Sequence, residues 1–342
     1  MTASRGFPFA VIGISHNHIY AQTDCMLGAG CALVAFFADE DDLATRFSER
    51  YPQARRVQDQ REILEDEKVR LVVGAGIPAD RAPMAVLAMR HGKDVMLDKP
   101  GATTLTQLAE LKAVQQETGR IVSICFSEHL LQPATIEAGK LVQAGAIGQV
   151  IQTIGLGPHQ LGNYQRPAWF FDKSRYGGIL ADVGAHQAEQ FLFFTNSTEA
   201  TVVASQIGNF ANPGTPGLDD FGDMVLRSQH ATGYCRLDWF TPDGLGVWGD
   251  GRYTILGTDG YIELRKYIDI AGRRGDNHLF IAAKKSARPI DCSRSETPYG
   301  PALRNDVLDR TETAMPQARC FLATELALKA QANATRVTGA AT

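Results

Sequence analysis

Between Phe7 and Phe126 short apolar runs alternate with amphipathic stretches. The runs Phe9–Gly13, Leu33–Phe37, Val69–Val73, Asp94–Leu97 and Ile121–Phe126 read as strands, with helical patterns between them. Leu71-Val72-Val73 and Val95-Met96-Leu97 are unbroken apolar triplets, as expected of parallel strands buried on both faces. This alternation predicts an N-terminal Rossmann-type α/β domain built on a doubly wound parallel sheet. After Phe126 the texture changes to an amphipathic helix over Ala134–Ala144, a strand over Val150–Leu156 and a helix opening at Gly177-Gly178. Strands then dominate: Thr201–Gln206, Asp223–Arg227, Thr232–Trp239, Tyr253–Leu256 and Tyr261–Leu264 are separated by Gly, Asn and Asp turns. That spacing predicts a C-terminal α+β domain with a large, open, mostly antiparallel sheet, before Leu308–Ala334 returns to helical texture.

The change near Ser127 divides the chain into domains 1–126 and 127–342, each long enough to bury its own core. Apolar residues at 44% and charged residues at 21% exclude a disordered or fibrous chain. A net charge of -4 without any long Lys/Arg run argues against nucleic acid or an anionic membrane as partner. The apolar stretch Phe7–Ile14 behind a short polar N-terminus is too brief for a signal peptide or a membrane span, which predicts a cytoplasmic location. Six cysteines without a Cys-x-x-Cys pair read as reduced thiols with no assigned chemistry.

The first strand runs into Gly13-Ile14-Ser15-His16-Asn17-His18, where a dinucleotide fold places a glycine-rich turn before a helix N-terminus that receives pyrophosphate. Only the first glycine is present; Ser15 and His18 stand where the other two would allow close approach. Asp39, at the end of the second strand, is placed to accept the ribose hydroxyls of NAD and to repel the 2′-phosphate of NADP. Asp39 to Asp42 read equally as the acidic start of a helix. His16 and His18 form a His-x-His pair, but no acidic or cysteine partner lies nearby in sequence, so no metal is expected; phosphate contacts or packed imidazoles fit better.

Asp98-Lys99-Pro100 puts a lysine at the carboxyl end of a buried strand, where ligands sit in open α/β sheets. Asp182 and His186 are four apart on the helix that opens at Gly177-Gly178, and so share a face. Ile179, Val183, Phe191 and Phe194 bury at least half of that helix, so its carboxylate and imidazole need partners or a function.

Together these features resemble the glucose–fructose oxidoreductase, inositol dehydrogenase and rhizopine catabolism (Gfo/Idh/MocA) family over nearly the whole chain. Asp98-Lys99-Pro100 is similar to the family's Glu-Lys-Pro motif, and Gly177 through Glu189 to its catalytic helix. The resemblance implies Lys99, Asp182 and His186 as the catalytic group. It also implies that Gly76-Ile77-Pro78 lies under the nicotinamide ribose. The cofactor set is then Gly13, Ser15, His16, Asn17, His18, Asp39, Gly76, Pro78, Lys99 and Pro100. Glu128-His129 stands where many members carry basic or aromatic residues.

The implied reaction is reversible hydride transfer between a carbinol carbon and NAD. His186 would act as general base, Lys99 would stabilise the developing oxyanion, and Asp182 would hold the sugar or orient the pair. Glu189, a turn further on, orients His186 or faces solvent. The substrate wall is drawn from Lys99, Glu128, His129, His159, Tyr164, Arg166, Trp169, Asp182 and His186. It suits a neutral polyhydroxylated molecule, a sugar, polyol or glycoside, since an anion would want more cations. The alternative for Glu128 is a structural ion pair with Arg166 or another base. Two alternatives stay open: a redox-neutral glycosidase or lyase using tightly held NAD, and a non-catalytic dinucleotide-binding regulator. The resemblance further implies a homodimer or homotetramer built through the open sheet.

Overall fold

The structure, a computed structural model, describes residues 6–162 and 166–337. It falls into two compact units: the chain through Cys125 with Pro298–Phe321, and Phe126–Thr297 with the residues from Leu322 onward. A single boundary near residue 126 therefore does not describe the division, because Pro298–Phe321 returns to the first unit.

In the first unit β1 (Pro8–Ile12), β2 (Ala32–Phe37), β3 (Arg55–Arg56), β4 (Leu71–Gly74), β5 (Asp94–Asp98) and β6 (Val122–Cys125) form a parallel sheet of order β3-β2-β1-β4-β5-β6. Helices α1 (His18–Gly28), α2 (Asp41–Arg50), α3 (Arg61–Leu64), α4 (Pro78–Arg90) and α5 (Leu105–Thr118) connect them. The strand order reverses between β1 and β4, and ligands bind outside the carboxyl ends of strands at such a switch point. Phe9, Val11, Val72, Val73, Met96 and Leu97 are wholly buried, which is why their runs lack polar alternation. The two-residue β3 has no hydrophobic pattern and was not expected from the sequence.

β6 is the edge strand, and the returning segment closes it. Gln317 Oε1 accepts from the Val122 N–H at 2.8 Å, and Cys320 Sγ lies 3.5 Å from the Ile124 N. Tyr299 Oη and Ser123 Oγ are 2.8 Å apart, and Arg310 pairs with Asp94 at 2.7 Å. The helix Tyr299–Asp309 stops where Arg310 takes a left-handed φ of 58°, and a second helix spans Gln317–Asn333. The single C-terminal helical stretch expected over Leu308–Ala334 is thus two helices, interrupted ahead of Gln317 by a segment that includes Pro316.

In the second unit α6 (Ser127–Leu130), α7 (Pro133–Gln143), α8 (Lys173–Tyr176), α9 (Ile179–Asp182) and α10 (Gly184–Thr195) accompany a nine-stranded sheet. Its strands are β7 (Val150–Pro158), β8 (Thr201–Gly208), β9 (Phe221–Arg227), β10 (Thr232–Asp238), β11 (Arg252–Gly257), β12 (Gly260–Arg265), β13 (His278–Ala283), β14 (Ser286–Ile290) and β15 (Thr335–Val337). They run in the order β14-β13-β12-β11-β7-β10-β9-β8-β15. The β7–β10 and β8–β15 pairings are parallel and the others antiparallel.

On β11, Tyr253 and Ile255 turn inward to a core shared with Ala134, Ala138, Ile262 and Leu279, while Leu256 faces outward at 38% exposure. α10 seats on β7 and β10. Gly155 permits this, since a Cβ there would stand 2.0 Å from Gln187 Oε1. Full burial of Phe191 on α10 contributes about 1.5–3 kcal/mol. Among the described residues no helix is long and apolar enough to cross a membrane.

Candidate active site

The first unit carries the cofactor end. β1 finishes at Gly13, whose φ of 84° and close approach to Gly76 both need the missing side chain: a Cβ would lie 3.0 Å from Gly76 Cα. The turn is laced to the exit of β4, with His16 N–H donating to Ala75 O at 2.8 Å and Ala75 N–H to Gly13 O at 3.0 Å. Ser15 Oγ donates to Glu40 Oε1 at 2.8 Å, so the carboxylate that meets the turn is that of Glu40. A cavity of about 310 Å³ opens here, lined by Gly13, Ser15, Asp39, Glu40, Gly76 and Arg81 among others. It brings together four of the residues expected at the cofactor. Asn17 precedes α1 without a side-chain cap, and Pro78 opens α4.

His16 and His18 turn toward Asp98. The Asp98 carboxylate is fully buried, with His18 Nδ1 at 2.9 Å, Gln22 Nε2 at 3.2 Å, Arg81 Nη2 at 3.1 Å and His16 Nδ1 at 3.6 Å. Burial opposes its charge, but His18 and Arg81 outweigh burial and hold the carboxyl well below the usual range. Burial and the neighbouring His18 push His16 well below an ordinary imidazole.

The fold thus supplies the acidic partner that the sequence around His-x-His lacks, and donor atoms of His16, His18 and Asp98 lie within 4.8 Å of one another. Arg81 on the same carboxylate sets a positive charge beside the place a metal ion would take. Arg81 also donates from Nε to Gly76 O at 2.8 Å and from Nη1 to the carbonyls of Lys99 and Pro100. It ties the Gly76 turn to the segment that carries Lys99, itself 4% exposed. Nothing in the sequence marked Arg81, one charged residue on an otherwise ordinary helix.

Most of the residues expected at the substrate lie in the second unit. Asp182 closes α9 and His186 lies in the first turn of α10. The helix expected to run through both is interrupted at Val183, which keeps right-handed torsions (φ -75°, ψ -35°), so the one-turn spacing survives. Both side chains are buried.

Glu128 Oε2 accepts from Lys266 Nζ at 2.9 Å and from Gln187 Nε2 at 3.3 Å. Burial works against its charge, yet Lys266, His186 and His159 hold it far below the ordinary carboxylate range. Burial in turn pulls Lys266 down, against the attraction of Glu128. The ion pair anticipated for Glu128 is therefore made with Lys266. Lys266 carried no signal in the sequence, being one lysine beyond a strand.

His129 is committed to Glu189, with Nδ1 at 2.9 and 3.0 Å from the two carboxylate oxygens, and its ring stacks on Phe193 at 3.8 Å. Glu189, fully buried, pairs with His129 and does not meet solvent. Arg166 lies over Phe170 at 4.1 Å and Trp239 at 4.7 Å and donates to the Leu161 and Gln160 carbonyls. His159 donates Nδ1–H to Gly157 O at 3.0 Å and packs against Trp239 and Trp248. Trp169 is half-buried against Phe170. Tyr164 lies outside the described residues.

The model of an oxidoreductase family with an NAD-binding Rossmann fold matches residues 7–126, and that of the GFO/IDH/MocA C-terminal domain matches 135–263. The chain belongs to the Gfo/Idh/MocA oxidoreductase family.

Among Gfo/Idh/MocA relatives, scyllo-inositol 2-dehydrogenase (NAD(+)) of Bacillus subtilis (strain 168) is 26% identical over 234 residues, covering 66% of this chain and 64% of that one. D-xylose dehydrogenase of Paenarthrobacter nicotinovorans is 25% identical over 148 residues, 41% of this chain and 37% of that one. The chain thus spans less than two thirds of the length of these curated relatives. A crystal structure of a protein from Erwinia carotovora atroseptica SCRI1043 is 42% identical, covers 97% of this chain and 99% of that one, and superposes with a TM-score of 0.94. In this Gfo/Idh/MocA chain Asp98-Lys99-Pro100 ends β5 and Asp182 and His186 stand on α9 and α10.

Proposed function

We propose that this chain is an NAD-dependent dehydrogenase that moves a hydride between a hydroxyl-bearing carbon of a neutral sugar, polyol or glycoside and nicotinamide. The observation that carries the reading is His186, an imidazole buried one turn beyond the buried Asp182 on a helix of the family's second domain.

The cavity at Gly13 and Gly76 fits a dinucleotide: the glycines allow close backbone approach, and Asp39 and Glu40 stand at the end of β2 for the ribose hydroxyls. Asp80 adds a third carboxylate, and the only cation lining that cavity among the described residues, Arg81, is engaged with Asp98. This favours NAD, since a 2′-phosphate would meet uncompensated negative charge. When bound, nicotinamide supplies the hydride acceptor or donor.

His186 takes the hydroxyl proton, the Lys99 ammonium is assigned to the oxyanion that develops, and Asp182 to a neighbouring hydroxyl. Arg166, stacked between aromatic rings and spent on carbonyls, offers little to an anionic substrate. A screen of sugars and polyols with NAD, followed at 340 nm (roughly the absorbance of reduced nicotinamide), tests the reading; no NADH from any of them refutes it.

The outer face of the nine-stranded sheet leaves Ile151, Ile154, Leu256 and Tyr261 exposed. It is the surface assigned to the homodimer or homotetramer, and light scattering of the purified chain measures it.

A further inference from the structure

α10 is buried nearly all round, yet within two turns it carries His186, Gln187, Glu189 and Gln190. Buried polar side chains need partners, and one residue from just past β12 serves Gln190 directly and Gln187 through Glu128. Lys266, just past β12 and 1% exposed, places Nζ 2.9 Å from Glu128 Oε2 and 2.7 Å from Gln190 Oε1. Gln190 Nε2 donates to the backbone carbonyl of His186 at 3.1 Å, and Gln187 Nε2 reaches Glu128 Oε2 at 3.3 Å. The lysine therefore touches the His186 helix along two routes, one through an amide to the backbone and one through a carboxylate. Buried ion pairs are weak sources of stability compared with apolar packing of the same volume. What this one supplies is placement and a fixed charge.

We propose that Lys266 is a positioning residue for His186, holding α10 through Gln190 and holding Glu128 against Gln187, the next residue along that helix. The inference rests on the dehydrogenase reading only in giving His186 the role of base. The charged and titratable groups around the pair are consistent with it. Facing Glu128 are Lys266, His186, His159 from the end of β7, and the phenols of Tyr253 and Tyr267. Glu189 is taken up by His129, and Asp182 lies one turn before His186. Glu128 stays a carboxylate because Lys266 and the imidazoles outweigh its burial. Its negative charge in return favours the imidazolium of His186, and Lys266 tempers that effect.

The test is the titration of His186 in the full chain, followed by 1H–13C NMR of the imidazole and assigned by the signal lost in His186→Asn. It needs no turnover, so it stands apart from the dehydrogenase reading, whose failure would show as absence of NADH formation by the wild type. Glu128→Gln is expected to lower the His186 midpoint by about one pH unit, and Lys266→Met to leave it above that of Glu128→Gln. Where Lys266→Met does not fold, the double variant Glu128→Gln/Lys266→Met leaves no unpaired buried charge, and its midpoint is expected above that of Glu128→Gln. In the active enzyme the acid limb of kcat/KM should move in the same directions. An unmoved midpoint in Glu128→Gln, or a midpoint in Lys266→Met no higher than that of Glu128→Gln, overturns the proposal and leaves Lys266 a packing residue.

Discussion

Replacing Arg81 by methionine strips the buried clamp beneath the cofactor turn. Arg81 is 1% exposed, and the substitution removes its pairing with Asp98 and its hydrogen bonds to the carbonyls of Gly76, Lys99 and Pro100. Methionine fills much of the same volume, so the loss is mainly electrostatic. Breaking a buried ion pair costs about 3–5 kcal/mol because the remaining charge is stranded. Asp98 keeps His18 at 2.9 Å and Gln22 at 3.2 Å, which places the cost near the lower end, about 3 kcal/mol. For a unit of this size the melting temperature then falls by about 6–12 °C.

Thermal unfolding followed by circular dichroism at neutral pH measures the fall. Adding Asp98→Asn removes the stranded charge and should restore more than half of it. The pH dependence has a definite sign. Asp98 titrates well below its unfolded value, so its contribution is complete above about pH 4 and is lost as pH falls through the lowered folded value. Arg81→Met shrinks that contribution, so wild type and variant should converge on acidification. A cost below about 1 kcal/mol, or a double variant no more stable than Arg81→Met, would refute the ion-pair account.

Lys99→Ala and His186→Ala should each lower turnover by about 10²–10⁴-fold while leaving NAD binding largely intact, as read by single-turnover rates beside cofactor fluorescence titration. Near-normal turnover in His186→Ala would assign the proton to another base. Calorimetric titration should show NAD binding more tightly than NADP, given Asp39, Glu40 and Asp80 in the cavity; the reverse order would remove Asp39 from the ribose. A free sugar should show a higher kcat/KM than its phosphate or its aldonate under the same conditions, and a marked preference for either anion would make Arg166 the first residue to revisit.

The parallel sheet was legible because burial on both faces leaves unbroken apolar runs such as Leu71–Val73 and Val95–Leu97, which only a doubly covered strand tolerates. β14 was not legible: four of its five residues are exposed, so it shows no period. β13 precedes it as the first member of an unrecognised hairpin, and β15 is only three residues long. As candidates, Lys99 was legible from its strand-end position and Asp182 and His186 from their helix spacing. Their supports were not, because those come from far along the chain. Asp98 is 80 residues from His18, and Lys266 is 138 from Glu128. Local pattern carries no trace of such pairings, which is also why Glu189 was placed toward His186 or solvent when the fold gives it to His129.

The closure of β6 by the returning segment bears on how the protein is made. A ribosome delivers the Rossmann strands first, but the backbone donors along the outer edge of β6 are met by Gln317 and Cys320, and Asp94 by Arg310. Nearly two hundred residues separate Val122 from Gln317. For the whole of that interval the nascent first unit carries an open strand edge of the kind that invites pairing with another chain. The edge is completed only once residues 317 to 320 have been made, and a gene fragment ending at residue 126 would express that unfinished edge permanently.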